Sequence, residues 1–194
     1  MANLNWKMDY IINLSESDYI LKKPEDFKEF LYKNKGRNFV KSHGRETTTF
    51  LKKQGLDRTF YECDNHMFRL GPRNLPEGLV IDGGSDWVCL SRDFIYYILK
   101  EEKDSLLNGL NAIFNYTLLP AESFFHTTLR NSRFCPTYLN NNLRITNWKR
   151  KGLRIEILYK MMKKLDIISV ILIGPINLMH LCSITSFPPS NSKK

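Results

Sequence analysis

Short apolar runs alternate with amphipathic stretches along the part of the chain that precedes Gly152. The runs Tyr10–Leu14, Leu79–Asp82, Trp87–Leu90 and Leu143–Thr146 are short and bounded by polar or turn-forming residues. Runs of this kind are typical of partly or fully buried β-strands. They predict at least four strands, spread over most of this region.

Amphipathic segments between the apolar runs predict helices. One begins at Pro24, because proline suits a first helical turn, and ends at Gly36. Its residues Phe27, Phe30 and Leu31 recur at helical spacing. Further helices are predicted at Glu46–Gln54, Arg92–Lys100, Asp104–Tyr116 and from Pro120 onward, and Asp104 is the predicted N-cap of the third of these. Strands mixed with helices indicate a mixed α/β fold.

Composition narrows the class of protein without choosing a function. The 194 residues include 42% hydrophobic and 25% charged residues, which excludes a disordered or collagen-like chain. The 29 Lys and Arg residues exceed the 20 Asp and Glu residues, for a net charge of +9. Such a charge favours an anionic ligand: a nucleotide, a nucleic acid, a polyanionic sugar or a membrane surface. The four cysteines and four histidines have no zinc-site spacing.

The segment from Gly152 to Lys194 differs in character from the rest. Its apolar run Ile167–Ile173 is interrupted by Gly174-Pro175. A bilayer-spanning helix needs roughly 20 apolar residues, so this run predicts a buried strand or an interfacial segment instead. The Pro-, Ser- and Lys-rich end from Phe187 is predicted to be disordered.

Three places carry candidate chemistry. In the DGGSDW stretch, two glycines allow close approach of a ligand, Ser85 and Asp86 offer hydrogen bonds to a sugar or diphosphate, and Trp87 offers a flat apolar face. A plain β-turn with Trp87 in the core explains the same residues. Glu122 lies in the predicted first turn of a helix, where the helix dipole favours an ionised carboxylate that could act as a base. A helix-capping role is the alternative.

The third place is a basic cluster that follows the last predicted strand. Arginine and lysine side chains bind phosphate groups, although such clusters are also common on solvated surfaces. The members of the cluster are Arg144, Trp148, Lys149, Arg150 and Lys151.

Six blocks of sequence, taken together and in order, carry a family resemblance. They are Asn13–Tyr19 (NLSESDY), Lys41–Arg45 (KSHGR), Tyr61–Arg69 (YECDNHMFR), Leu79–Leu90 (LVIDGGSDWVCL), Tyr116–Thr127 (YTLLPAESFFHT) and Asn141–Lys151 (NNLRITNWKRK). The chain resembles the peptide O-xylosyltransferases, which are related to the branching N-acetylglucosaminyltransferases. The resemblance extends over Tyr10–Lys151.

The resemblance implies a GT-A-like fold and inverting transfer of xylose from UDP-xylose to a serine of a proteoglycan core protein. The acceptor serine is expected in a Ser-Gly sequence. It implies that Glu122 is the catalytic base, that Asp86 and Trp87 lie at the xylose and acceptor site, and that Arg150 contacts the donor diphosphate. It further implies no essential divalent metal. The charge alone would allow a nucleic-acid partner, but the sequence has no aromatic-plus-basic RNA motif, so none is expected. The expected location is the lumen of the endoplasmic reticulum or Golgi, with membrane attachment only through an anchor outside this chain.

The same resemblance leads us to expect a partial catalytic domain at residues 1–151 and a divergent tail at residues 152–194. An incomplete GT-A-like domain would be inactive by itself, because much of the nucleotide-binding half is expected elsewhere. Arg130 stands where the family has an acidic residue. Two alternatives remain: a branching N-acetylglucosaminyltransferase-like enzyme, and a non-catalytic basic fragment that binds polyanions.

Overall fold

The computed structural model describes residues 7–16, 18–44, 49, 55–100, 104–146 and 170–172. The chain divides into two compact units. The larger unit contains Tyr10–Asn13 and Asn34–Asn142, and the smaller contains Met1–Asp9, Leu14–Lys33 and Leu143–Lys194. Strands and helices occur in both units, so the predicted mixed α/β class is confirmed.

A four-stranded sheet forms the centre of the larger unit. Its strands are β1 (Tyr10–Ile12), β3 (Asn38–Ser42), β6 (Gly84–Ser91) and β7 (Tyr138–Leu139). Their order is β1-β6-β3-β7; β6 is antiparallel to both of its neighbours, and β3 is parallel to β7. The longest of these strands, β6, therefore lies in the interior of the sheet, where both of its edges are paired.

Three helices of the larger unit supply the core that covers this sheet. They are α2 (Arg92–Lys100), α3 (Ser105–Phe114) and α4 (Phe124–Asn131). The main cluster joins apolar residues from two strands and these helices: Val40, Val88, Leu90, Phe94, Tyr97, Leu107 and Leu129. The predicted cap of α3 is confirmed, because the Asp104 side chain accepts a hydrogen bond from the Leu107 N–H at 3.1 Å.

An exposed hairpin completes the larger unit. It consists of β4 (Arg58–Cys63) and β5 (His66–Pro72), paired antiparallel with each other. The turn residues Asp64 and Asn65 have positive φ angles of 50° and 61°. Asp and Asn tolerate this left-handed conformation better than most residues, which explains their place at the turn.

The smaller unit contains a three-stranded sheet and the helix α1 (Pro24–Lys33). Its strands β2 (Asp18–Ile20), β9 (Val170–Leu172) and β8 (Arg144–Thr146) lie in the order β2-β9-β8. Arg144 and Asp18 form an ion pair whose side chains are only 3% and 1% exposed. Within the run Ile167–Ile173, which is predicted to be a buried strand or an interfacial segment, Val170–Leu172 forms the strand β9.

Two predicted elements are wrong. Leu79–Asp82 belongs to no strand or sheet. The Asn131 side chain of α4 bonds both the Val80 N–H and the Val80 carbonyl, at 2.9 and 2.8 Å, and so takes the place of a partner strand. The segment after Pro120 is not one helix, because a 3₁₀ turn, Pro120–Glu122, precedes α4.

Other predicted elements are confirmed or lie beyond the description. The strands at Tyr10–Leu14 and Leu143–Thr146 and the helices at Pro24 and Arg92 are present. Of the predicted helix Glu46–Gln54, only residue 49 is described, and the disordered end predicted from Phe187 lies outside the described residues. Within the described part of the chain, no helix is long and apolar enough to cross a membrane.

Candidate functional site

The stretch DGGSDW is not a turn between two strands, because Gly84 already belongs to β6. A Cβ atom at Gly84 would lie 2.0 Å from the carbonyl oxygen of Lys41 and 2.8 Å from the Cα of Ser42. The close approach of the neighbouring strand β3 therefore requires glycine at this position. The pairing of β3 with β6 shifts register between Val40 and Ser42, and the His43 N–H donates to the Gly83 carbonyl at 3.0 Å.

Asp86 and Trp87 are half-buried, and Asn13 holds their backbone in place. The Asn13 side chain donates to the Asp86 carbonyl at 2.9 Å and accepts from the Val88 N–H at 2.7 Å. These two bonds extend the β1–β6 pairing past the end of β1 at Ile12. Asn13 was not singled out as a site residue by its sequence, since the contact depends on strand pairing.

Ser85 contacts protein groups on both sides. Its hydroxyl oxygen accepts hydrogen bonds from the Trp87 N–H at 3.2 Å and from the Asn142 side chain at 3.0 Å. One hydroxyl hydrogen remains for a further acceptor. The structure thus places Ser85, Asp86 and Trp87 on one short, well-held piece of strand.

Glu122 ends the 3₁₀ turn that precedes α4, and its side chain is partly buried. Burial raises the pKa of Glu122, and the nearby Asp86 carboxylate raises it further, whereas His43 lowers it. The expectation that a helix dipole would favour ionisation is wrong, because Glu122 is not in an α-helix and burial together with Asp86 outweighs any such effect. Charge interactions nonetheless identify Glu122, Asp86 and His43 as neighbours.

A carboxylate with a raised pKa is a stronger base than an ordinary surface carboxylate. Being partly buried, Glu122 is also shielded in part from competing water. The arrangement therefore suits removal of a proton from a hydroxyl group. His43 was missed from the sequence; the available signal was its place in the KSHGR block, one of the six blocks that carry the family resemblance.

The structure does not offer Arg144, the first residue of the basic cluster, as a free phosphate-binding group. Arg144 is buried with Asp18 in the smaller unit, so its charge is already neutralised within the fold. Trp148, Lys149, Arg150 and Lys151 lie outside the described residues. The assignment of Arg150 to the donor diphosphate stays a prediction.

No group of three or more His, Cys, Asp or Glu side chains suited to a metal ion occurs among the described residues. His126 is fully buried, and its Nε2 donates to the Lys41 carbonyl at 3.1 Å. Burial lowers the pKa of His126 despite the opposing effects of this bond and of Asp82. His126 therefore joins α4 to β3 as a neutral side chain at neutral pH.

Several proteins named xylosyltransferase are similar to most of this chain. Xylosyltransferase oxt of Drosophila pseudoobscura pseudoobscura is 60% identical over 147 residues, and Xylosyltransferase oxt of Drosophila melanogaster is 59% identical over 148 residues. Xylosyltransferase 2 of Homo sapiens is 55% identical over 146 residues. These matches cover 75%, 76% and 75% of the chain, respectively, but only 17% of each relative.

The resemblance to xylosyltransferases is thereby confirmed. A model of the Core-2/I-branching enzymes matches residues 1–165, which is most of the sequence. The chain belongs to the Core-2/I-branching enzyme family, whose domain has a GT-A-like glycosyltransferase fold.

Proposed function

We propose that the chain is part of an inverting glycosyltransferase that moves xylose from UDP-xylose to a serine of a proteoglycan core protein. The identity to proteins named xylosyltransferase supports the sugar that is transferred. The observation that carries the proposal is the partly buried Glu122 carboxylate beside Asp86, with its raised pKa.

Glu122 would act as the general base of the transfer. It takes the proton from the serine hydroxyl while the serine oxygen attacks C1 of xylose on the face opposite the diphosphate. The bond between C1 and the diphosphate oxygen breaks, UDP leaves, and the configuration at C1 inverts. General-base catalysis of this kind contributes about 10²- to 10⁴-fold to a rate.

The remaining site residues would bind and orient the substrates. The Asp86 carboxylate and the Ser85 hydroxyl offer hydrogen bonds to xylose hydroxyls or the acceptor backbone. The Trp87 ring offers an apolar face for the sugar ring or the peptide. Arg150 would bind the diphosphate and stabilise the negative charge that develops on the leaving group.

The cellular setting belongs to the same proposal. Transfer of xylose to serines of core proteins implies an enzyme in the lumen of the endoplasmic reticulum or Golgi. The proposal includes no nucleic-acid partner, and it holds that the transfer needs no divalent metal. Transfer that survives complete chelation with EDTA supports metal independence, and transfer restored only by added Mn²⁺ or Mg²⁺ contradicts it.

The proposed function is tested with the chain alone and with a chimaera. In the chimaera, the matched residues of this chain replace the matching segment of Drosophila melanogaster Xylosyltransferase oxt, because the match covers only 17% of that protein. The assay follows transfer from UDP-xylose to a Ser-Gly peptide. Turnover by the chimaera that is lost in Glu122→Gln but kept in Glu77→Gln, an exposed carboxylate, supports the proposal.

Donor choice separates the proposed reaction from its enzymatic alternative. A preference for UDP-xylose over UDP-N-acetylglucosamine supports xylosyl transfer, and the reverse preference supports a branching N-acetylglucosaminyltransferase-like enzyme. A chimaera without turnover on either donor contradicts both. Salt-sensitive heparin binding in that inactive protein, unchanged in Glu122→Gln, would then favour the polyanion-binding alternative.

A further inference from the structure

Asp82 is a buried carboxylate with contacts to several elements around the candidate site. The residue is 4% exposed. Its Oδ1 atom accepts hydrogen bonds from the Ser42 hydroxyl at 2.6 Å and from the Gly83 N–H at 2.8 Å. Its Oδ2 atom lies 3.2 Å from the Nε of Arg130 in α4. One side chain thus joins the end of β3, the residue before β6 and the last part of α4.

The Asp82 backbone is tied to α4 as well. Its N–H donates to the Thr127 hydroxyl oxygen at 3.2 Å, and that hydroxyl donates to the Asp82 carbonyl at 3.0 Å. The Thr127 N–H in turn bonds the Ser123 carbonyl at 2.9 Å. Since Ser123 directly follows Glu122, the chain of bonds from Asp82 ends beside the Glu122 turn.

The other branch of contacts leads to His43. The Ser42 hydroxyl, which donates to Asp82, also accepts from the Gly44 N–H at 2.9 Å. Gly83, which donates to Asp82, accepts the His43 N–H. His43 is therefore flanked on both sides by residues that depend on Asp82 for their position.

We propose that Asp82 is a positioning residue, which fixes the backbone beside His43, Asp86 and Glu122 so that the site has one geometry. The inference rests on the proposed function for its catalytic consequence, but the contacts that carry it are independent of that function. Burial of a carboxylate is costly unless it is paired and hydrogen-bonded, and Asp82 meets both conditions.

Arg130 supplies the positive charge that faces Asp82. Its guanidinium also lies over the Tyr138 ring, 5.2 Å from the ring centroid, so it is held from two sides. Because Arg130 pairs with the Asp82 carboxylate and is held against Tyr138, it shares the positioning role.

Amide hydrogen exchange on the full 194-residue chain tests this role without requiring activity. We expect Asp82→Ala to accelerate exchange at the Gly83 and His43 amides at least 10-fold, because their local partners are lost or displaced. Asp82→Asn keeps a hydrogen-bond acceptor but loses the charge, so it should increase the exchange rate of these amides less than Asp82→Ala does. It also provides a folded variant if Asp82→Ala fails to fold. Asp93→Asn, an exposed carboxylate in α2, is the matched control.

The Asn108 amide in α3 reports whether the effect is local. It bonds the Asp104 carbonyl at 3.0 Å, away from these contacts, and should exchange at the wild-type rate. Unchanged exchange at Gly83 and His43 in Asp82→Asn and Asp82→Ala would overturn the proposal. Equal acceleration at Asn108 would also overturn it, because Asp82 would then serve only global stability.

Kinetics give the second readout. For transfer from UDP-xylose, we expect Asp82→Asn to lower kcat at least 10-fold with less than a twofold change in the donor KM. Arg130→Lys should keep most of kcat and Arg130→Met should not. A change in KM alone would contradict positioning. These kinetics use the chimaera. A wild-type chimaera without turnover would count against the proposed function, and the exchange result would still decide the role of Asp82.

Discussion

Replacement of Gly84 by alanine should destabilise the larger unit strongly. The added Cβ would lie 2.0 Å from the Lys41 carbonyl oxygen and 3.0 Å from its carbonyl carbon. Carbon and oxygen atoms in neighbouring strands normally keep at least about 3.3 Å apart, so β3 must move by roughly 1 Å. Both atoms belong to backbone, which cannot turn away as the end of a flexible side chain can.

The expected cost can be worked out from this contact. Overpacking in a well-packed interior costs about 1–3 kcal/mol, and disruption of the nearby bond from the His43 N–H to the Gly83 carbonyl adds about 1 kcal/mol. The lower entropy of the unfolded alanine chain returns about 0.5 kcal/mol. The net loss is about 1.5–3.5 kcal/mol, which for a chain of this size lowers Tm by roughly 3–14 °C.

Urea unfolding followed by circular dichroism measures this loss, and the chain offers a matched control. Gly109 lies within α3, and a Cβ there would meet nothing within 4 Å. Gly109→Ala should therefore stabilise the protein by about 0.5–1 kcal/mol, as alanine does in a helix interior. A Gly84→Ala protein within about 0.5 kcal/mol of wild type, or an equal loss in Gly109→Ala, would refute the reasoning.

Three further predictions concern charged side chains. Asp104→Ala should lower the free energy of unfolding by about 1 kcal/mol through loss of the α3 cap. The hydrogen bond from the Leu107 N–H lowers the pKa of Asp104. In urea unfolding, the stability difference between variant and wild type should therefore shrink as the pH falls through that lowered value. Asp18→Asn should cost about 3–5 kcal/mol by leaving Arg144 buried without its counter-charge, and a double-mutant cycle with Arg144→Met should show a strong coupling between the two residues. Glu122→Gln should raise the free energy of unfolding at pH 7, and with it Tm. The gain should be less than about 1 kcal/mol, because solvent screens the partly exposed group. Its folded-state pKa is raised, so the wild-type penalty grows as pH rises through that value, and the two proteins should converge in acid, where Glu122 is protonated in both states.

Elements with local signals were predictable from the sequence. The proline at Pro24 and the cap at Asp104 act within one helical turn of their own positions, so α1 and α3 were identified correctly. The segment Leu79–Asp82 is predicted to be a strand because it is a short apolar run that ends at turn-forming glycines. What bonds it is the side chain of Asn131, 51 residues beyond Val80 in the sequence, and no local pattern reports such a contact.

The candidate site shows the same limit. Local patterns and the family blocks both single out Glu122, Asp86 and Trp87, but the environment of these residues depends on others that meet them only in the fold. The sequence suggests that the glycine at position 84 allows close approach of a ligand or forms a plain turn, whereas in the structure the close approach of β3 requires it. The pKa of Glu122 was predicted in the wrong direction, because burial and Asp86 are long-range effects that a helix-end rule does not contain.

The pH dependence of xylosyl transfer tests most directly whether Glu122 is the base. With the chimaera, kcat/KM for the Ser-Gly peptide should fall in acid as Glu122 is protonated, and Asp86→Asn should move this acidic limb to lower pH because a like charge is removed. Glu122→Gln should lose at least about 100-fold in kcat and show no such limb. A Glu122→Gln protein that keeps both the wild-type rate and the wild-type acidic limb would contradict the assignment.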